Sequence, residues 1–270
     1  MTNIDELRKM NLSEPLEIFP LEVWELIMCY LSSVDYACTQ KMSLLNRNWR
    51  TIMLSMHEPW TSVSIDRRAI RNTASQPFNS WLNLILSRAN TPIKRVEWLT
   101  DNADETMTSY LDAIQGGKSP LHSIRLKGYY GLTKSHALKF RPPPTTTLYV
   151  HVEASNASDY FDPDEAILRH TNGLENLHLV NTFPNLLPIS CNLRSLSMHF
   201  TNTVLDIGAA QNFIADQQGL RFLSIRNLKQ DVPAHRHIIL NDLEHLELIN
   251  SGSLKDAIVA PNARTIILQN

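Results

Sequence analysis

Few residues in this chain stand in the order that chemistry needs. Gln115-Gly116-Gly117-Lys118-Ser119 matches the last residues of a phosphate-binding loop, in which backbone N–H groups cradle a phosphate and the lysine reaches its outer oxygens. The first glycine of such a loop is missing, because Asp112 stands there, and the preceding stretch has helical rather than strand spacing. His235-Arg236-His237 brings two imidazoles close together, but no third His or Cys follows at ligand spacing, so a solvated loop is the expectation. There is no Gly-x-Ser-x-Gly elbow. The scattered Asp and Glu form no pair that sequence can bring together for acid–base work. The chain reads as a non-enzyme with no catalytic residue, no cofactor and no metal ligand.

Composition narrows the class. The 270 residues suffice for one large or two modest domains, and 43% hydrophobic with 19% charged residues is a globular balance. A formal net charge of −2 gives no electrostatic case for nucleic acid or an anionic membrane as partner. Cys29, Cys38 and Cys191 are odd in number and widely spaced, which argues for a reducing compartment. Residues 1–13 are polar and mixed in charge, unlike a signal peptide, and no run of 18 apolar residues exists. A cytoplasmic or nuclear location is expected, and the sequons at Asn11 and Asn156 are then chance matches.

With chemistry set aside, the elements themselves become the subject. Residues 1–14 read as a flexible lead. Phe19 to Leu31 reads as a short helix opened by Pro20, whose fixed φ and missing N–H suit a first turn. Val23, Ile27, Tyr30 and Leu31 make one apolar face, and Leu21, Trp24 and Met28 a second. One face can pack on neighbouring helices; the other then remains as an exposed apolar patch of the kind that marks interaction sites. Ser32 and Asp35 are placed as a capping pair for a second helix carrying Ala37, Met42, Leu44 and Leu45. Arg47 to Met56 gives a third, ending near His57-Glu58-Pro59. Three short helices bury little core, and no cysteine framework staples them, so a partner is expected.

Phe19-Pro20-x-Glu22-Val23-Trp24-x-x-Ile27-Met28-x-Tyr30-Leu31, then Asp35, then Leu44-Leu45-Asn46-Arg47-Asn48-Trp49-Arg50, resembles the F-box. The likeness spans residues 15–57; Phe19 replaces the usual Leu, and Leu45-Asn46 replaces the usual Val-Cys and following basic residue. The resemblance implies docking on a Skp-type adaptor protein and, through it, a cullin scaffold. The residues it assigns to that contact are Phe19, Pro20, Leu21, Glu22, Val23, Trp24, Ile27, Met28 and Leu31.

From residue 58 to residue 270 the texture is a loose repeat of apolar-x-x-apolar-x-apolar. Its second anchors are Val63, Val96, Ile124, Leu148, Leu177, Leu196, Leu223, Leu246 and Ile266. Steps run from 19 residues (Leu177 to Leu196) to 33 (Val63 to Val96). Leucine-rich repeats have this template at roughly 20–29 residues, and the region resembles an irregular member of that class. Asn181, Asn227, Asn250 and Asn270 hold the eighth position of their units rather than the ninth, which predicts a modified turn with the amide bonding loop backbone. Helical spacing recurs between anchors at 76–90, 101–116, 162–173 and 206–219, the last carrying Ile207, Ala210, Phe213 and Ile214 on one face. Residues 183–190, with two prolines, are too short and broken for a helix. The expected fold class is α/β, a three-helix F-box followed by a leucine-rich-repeat solenoid with a curved parallel sheet and outer helices.

In such a solenoid the residues flanking each anchor line the concave face. Arg95, Arg125, Tyr149, His151, His178, His199, Phe222, Arg226, His245 and Glu247 are the candidates there for holding a protein substrate. The implied function is a substrate receptor that presents a bound protein to a cullin-based ubiquitin ligase for proteasomal degradation. Two alternatives stay open: an F-box protein acting outside degradation, and a leucine-rich scaffold whose first helices only cap the solenoid. The last unit, Ala263 to Asn270, stops on its strand with no polar capping repeat, so Ile266 to Leu268 are expected to be exposed. A longer natural chain, a partner on that edge, or tolerated fraying would each account for it, the first being favoured.

Overall fold

The first helix, α1 (Leu21–Val34), starts where expected: the Pro20 carbonyl accepts from Val23 N at 3.1 Å and Trp24 N at 3.2 Å. It runs three residues beyond Leu31. Ser32 is no cap; it is a buried helical residue whose hydroxyl donates back to the Cys29 carbonyl at 3.1 Å, which satisfies the buried hydroxyl within the helix. Asp35 terminates α1 and orders the next turn, its Oδ1 accepting from Ala37 N at 3.0 Å and its Oδ2 pairing with Lys41 at 2.7 Å. Helix α2 (Cys38–Ser43) is shorter than expected, and Leu44 and Leu45 lie beyond it. Helix α3 (Arg47–Ser55) is capped by Asn46, whose Oδ1 accepts from Trp49 N at 2.9 Å.

These statements come from a computed structural model in which residues 19–66, 83–89, 92–100, 121–129, 145–153, 173–181, 192–201, 207–228 and 237–269 are described. Those residues fall into two compact units. The first holds the helices, a 3₁₀ turn (Glu58–Thr61), the described residues up to Ser64, and those from 83 to Val96. Its core is aromatic and thioether-rich: Trp24 lies edge-on to Trp49 at 4.8 Å, Met28 and Met53 are wholly buried, and Trp60 Nε1 donates to the Met53 carbonyl at 2.7 Å. Thr39 donates to the Pro59 carbonyl at 3.0 Å, and Lys94 pairs with Glu58 at 2.6 Å. The helices therefore meet their shortage of core by sharing it with the chain that follows. Helical residues 83–89 fall inside the expected 76–90 helix, with Ile85 buried.

A nine-stranded sheet carries the repeat. Its strands are β1 (Ser62–Asp66), β2 (Arg95–Thr100), β3 (Leu121–Tyr129), β4 (Thr145–Glu153), β5 (Asn176–Val180), β6 (Ser195–His199), β7 (Phe222–Arg226), β9 (His245–Ile249) and β11 (Thr265–Gln269), hydrogen-bonded in chain order. Every anchor named from the sequence lies on its own strand. Ile124, Leu148, Leu177, Leu196, Leu223, Leu246 and Ile266 stand side by side in one continuous parallel register. Ladders of backbone bonds extend the pairing past both strand ends, as from Arg221 N to the Arg194 carbonyl before β7 and from Asn227 N to the Ile249 carbonyl after it, each at 2.8 Å. Two further strands, β8 (Ile238–Ile239) and β10 (Ile258–Val259), form a small parallel pair in the return paths that sequence spacing did not suggest. Helix α4 (Ile207–Ala215) fills part of the expected 206–219 helix, with Ala210, Phe213 and Ile214 buried; helix α5 (Gly252–Lys255) is a single turn. The helices expected at 101–116 and 162–173, the prolines at 142–144 and the loop at 183–190 lie outside the described residues.

The asparagines explain the turns. Asn181, Asn227 and Asn250 have φ of 53°, 59° and 49°, the left-handed region that Asn tolerates better than other non-glycine residues. Asn181 bonds loop backbone as expected, its Oδ1 accepting from Thr201 N at 2.8 Å and from the Thr201 hydroxyl at 2.9 Å. Asn227 and Asn250 bond each other instead, at 2.8 Å, and Asn227 Nδ2 lies 3.2 Å from His199 Nε2. A stack of equivalent turns brings equal side chains into register, so a side-chain ladder replaces the backbone bond. Asn270 lies outside the described residues.

Candidate protein-interaction surfaces

Helix α1 has more apolar surface than its unit can bury. The face chosen for the interior is Trp24, Met28 and Ser32. Trp24 and Met28, 9% and 0% exposed, are therefore corrected from docking residues to core residues: the indole sits against Trp49, and Phe19 packs edge-on to its other side at 5.5 Å. Phe19, Pro20, Leu21, Glu22, Val23 and Leu31 are exposed, and Ile27 is half-buried. The most exposed apolar residues of the helix are ones the sequence reading left off the docking surface: Leu26 at 72%, Tyr30 at 70% and Val34 at 57%. Their i, i+4, i+8 spacing puts them on one stripe. That spacing was the available signal, and it competed with two other apolar alignments on the same helix. Leu44, just after α2, is exposed as well.

Neither described cysteine offers a nucleophile. Burial raises the Cys29 thiol, and burial followed by the nearby Asp35 pushes Cys38 up to about 11, so both are thiols at neutral pH. Among the described residues no three His, Cys, Asp or Glu side chains converge as metal ligands. His237 is exposed; Gln115 to Ser119, His235, Arg236 and Cys191 lie outside the described residues.

The second surface is the sheet face opposite the anchors. The parallel register lines its residues up in rows. Arg125, Tyr149, His178, Ser197, Ser224 and Glu247 form the central row. Lys127 and His151 are paired in a neighbouring row, which His199 and Arg226 continue. Tyr149 gathers the rings of His178 and His151 at 6.2 and 6.3 Å. Burial, and then the nearby Arg125 guanidinium, lower the His178 pKa below its ordinary value. Lys127 pairs with the buried Glu97 at 2.8 Å.

Further along, Phe222 and His245 stack at 4.7 Å with 5° between their planes. Glu247 accepts from the Ser224 hydroxyl and from Arg226 Nη2 at 3.0 Å. The Ser224 bond, opposed by partial burial and helped by Arg226, holds its carboxyl below the usual range. Thus the sequence-named residues from Arg125 to Glu247 lie on one face in two clusters, Arg125–Tyr149–His151–His178 and Phe222–Arg226–His245–Glu247, with His199 between. Arg95, the first residue of β2, belongs to the first compact unit, where its Nη1 donates to Ser62 Oγ at 3.3 Å.

Among the described residues no helix is long and apolar enough to cross a membrane. No protein-family model and no curated protein matches this chain.

Proposed function

We propose that the chain is a non-enzymatic substrate receptor: α1 and its neighbours dock on a Skp-type adaptor, and the sheet holds a protein substrate beside a cullin-based ubiquitin ligase. The observation that carries the reading is the stripe Leu26, Tyr30 and Val34, uncovered on a helix whose sequence resembles the F-box. A stripe of large apolar side chains left in water is a binding surface in waiting. The physical service is proximity: a held lysine meets a charged ubiquitin carrier at a raised effective concentration. The F-box likeness accounts for the helices, and the in-register anchors with left-handed asparagines support a leucine-rich array of modified turn.

A second reading has its own support. The helices share a compact unit with the start of β1, as an N-terminal cap of a solenoid would. Adaptor binding separates the two. Purified Skp-type adaptor titrated against the chain is expected to bind at micromolar concentration or tighter. Leu26→Ala with Tyr30→Ala is expected to weaken binding by about 30-fold, the equivalent of ~2 kcal/mol for paired interface anchors, while leaving the melting temperature unchanged. A wild-type chain that ignores the adaptor is a scaffold. A chain that binds it but supports no substrate ubiquitination is an F-box protein acting outside degradation.

A further inference from the structure

The row of left-handed turns is broken at one unit. After β5, β7 and β9 the eighth position is Asn181, Asn227 and Asn250, but after β6 it is Phe200, a buried ring with no amide to offer its neighbours. Asn181 turns its Oδ1 to Thr201, accepting from the backbone N–H and the hydroxyl. Asn227 therefore meets an asparagine on one side only. On that side Asn250 Nδ2 donates to Asn227 Oδ1 at 2.8 Å; on the other, Asn227 Nδ2 lies 3.2 Å from Nε2 of His199, the residue before Phe200. Among the described residues Asn227 is the one hydrogen-bond partner of the imidazole, and the exposed Asn250 has nothing on its Oδ1.

A line of primary amides has a direction, because each carries one accepting oxygen and one donating nitrogen. With Asn250 donating to Asn227, Asn227 can only donate onward, and His199 Nε2 must accept. That puts the lone pair of the neutral ring on Nε2 and its hydrogen on Nδ1. The opposite direction makes as many bonds: both amides turn over, Nε2–H donates to Asn227 Oδ1, and Asn227 Nδ2 donates to Asn250 Oδ1. An imidazolium carries hydrogen on both nitrogens and accepts nothing. It fits the opposite direction alone, since in the present one two donors would face each other unsatisfied.

We propose that His199, Asn227 and Asn250 form a two-position ladder whose direction is set by one proton on His199. The proton comes from solvent to Nε2; no covalent bond breaks, and the two amides exchange donor and acceptor roles. Asn250, at the exposed end, then presents N–H groups where it presented a carbonyl oxygen. Protonation on the open face of β6 is thus read two strands away, in the turn after β9. The inference stands apart from the substrate-receptor reading, because the three residues belong to the array whatever it binds. Facing His199 in the register are Val180 on β5 and Arg226 on β7, the latter bonded to Glu247 of β9 at 3.0 Å. The other ionisable described side chains on that side are His178 on β5, His151 beyond Val180 on β4, and Lys127 on β3. Nearby charges alter how readily the proton is taken up, not which direction of the ladder it demands.

The test is nitrogen-15 NMR of the whole 270-residue chain labelled at histidine and asparagine, with His199→Gln identifying the His199 signals. At about pH 8, above the usual histidine range, Nε2 of His199 is expected to be bare and Nδ1 to carry the hydrogen. As the pH is lowered to about 5, the side-chain amide signals of Asn227 and Asn250 are expected to shift along one curve with the ring nitrogens. Asn250→Gly keeps the left-handed turn free of strain and removes the donor that orients Asn227, so the excess of the bare-Nε2 form is expected to be lost. Asn227→Asp places an acceptor-only carboxylate between its neighbours, and His199 is then expected to hold its hydrogen on Nε2 even at high pH. A wild-type His199 with its hydrogen on Nε2 at high pH, or amides of Asn227 and Asn250 that ignore the titration, would overturn the proposal. So would a His199 tautomer that is the same in the wild type, Asn250→Gly and Asn227→Asp. The wild-type spectra decide alone should a variant lose the circular dichroism of the parent.

Discussion

Leu177 and His178 are adjacent in β5, and the alternation of the strand sends one to the core and the other to the open face. Replacing each by alanine turns that alternation into a measurement. Leu177 is wholly buried, and its register neighbours Leu148 and Leu196 are too. Leu177→Ala removes three carbons from this row, about 2.4 kcal/mol at ~0.8 kcal/mol per buried CH₂. The flanking leucines belong to rigid paired strands and cannot close the gap fully, so an unrelieved cavity adds on the order of 1–2 kcal/mol. The sum is ~3–4 kcal/mol. His178→Ala gives up a ring contact with Tyr149 and relieves the Arg125 repulsion, which leaves a change of less than ~1 kcal/mol. On the proposed leucine-rich reading stability adds unit by unit, so the effect is localised: in Leu177→Ala, amide exchange should accelerate in β4, β5 and β6 before β9. Urea midpoints supply the energies and exchange supplies the location. Equal costs at the two positions, or acceleration spread evenly over the chain, would refute the assigned register.

Three further outcomes follow from the geometry. Ser224→Ala should raise the Glu247 pKa towards its ordinary 4.5, read by carboxyl NMR titration; because the folded value is lowered, the bond stabilises above pH 4.5 and is lost as pH falls through the folded value. A stability gap between the two proteins that stayed constant from pH 6 to pH 3 would contradict this. Asn227→Ala should cost about 2 kcal/mol, combining ~1 kcal/mol for a left-handed non-glycine residue with the lost bond to Asn250, and Asn227→Gly should recover about half, as urea midpoints will show. In the 270-residue chain, Ile266 and Leu268 are 53% and 42% exposed on the sheet's edge strand; amides of Ile266 to Gln269 should exchange much faster than those of Leu177 to Val180, and light scattering should show self-association as concentration rises.

What the sequence determined by itself is the repeat. Apolar residues at alternate positions define a strand with one buried side, and a strand's side chains have only two sides to choose from, so nine anchor positions could be read without coordinates. The asparagines at a fixed place in their units marked a special turn, and after β5, β7 and β9 that turn is left-handed, a conformation few residues other than glycine accept. Helix α1 was legible as a helix and not as a surface. It carries three apolar alignments, and nothing local ranks them. Tertiary packing decided that Trp24 and Met28 go inward, because Trp49, Met53 and Trp60 arrive from later in the chain to meet them; Leu26, Tyr30 and Val34 were left outside by the same choice. The open face divides along the same line. Its membership followed from alternation, but the grouping of Arg125, Tyr149 and His178, and the separate closure of Glu247 by Ser224 and Arg226, exist only because parallel register sets residues more than twenty positions apart side by side. Which side chains become neighbours on a surface depends on that register, and composition carries no record of it.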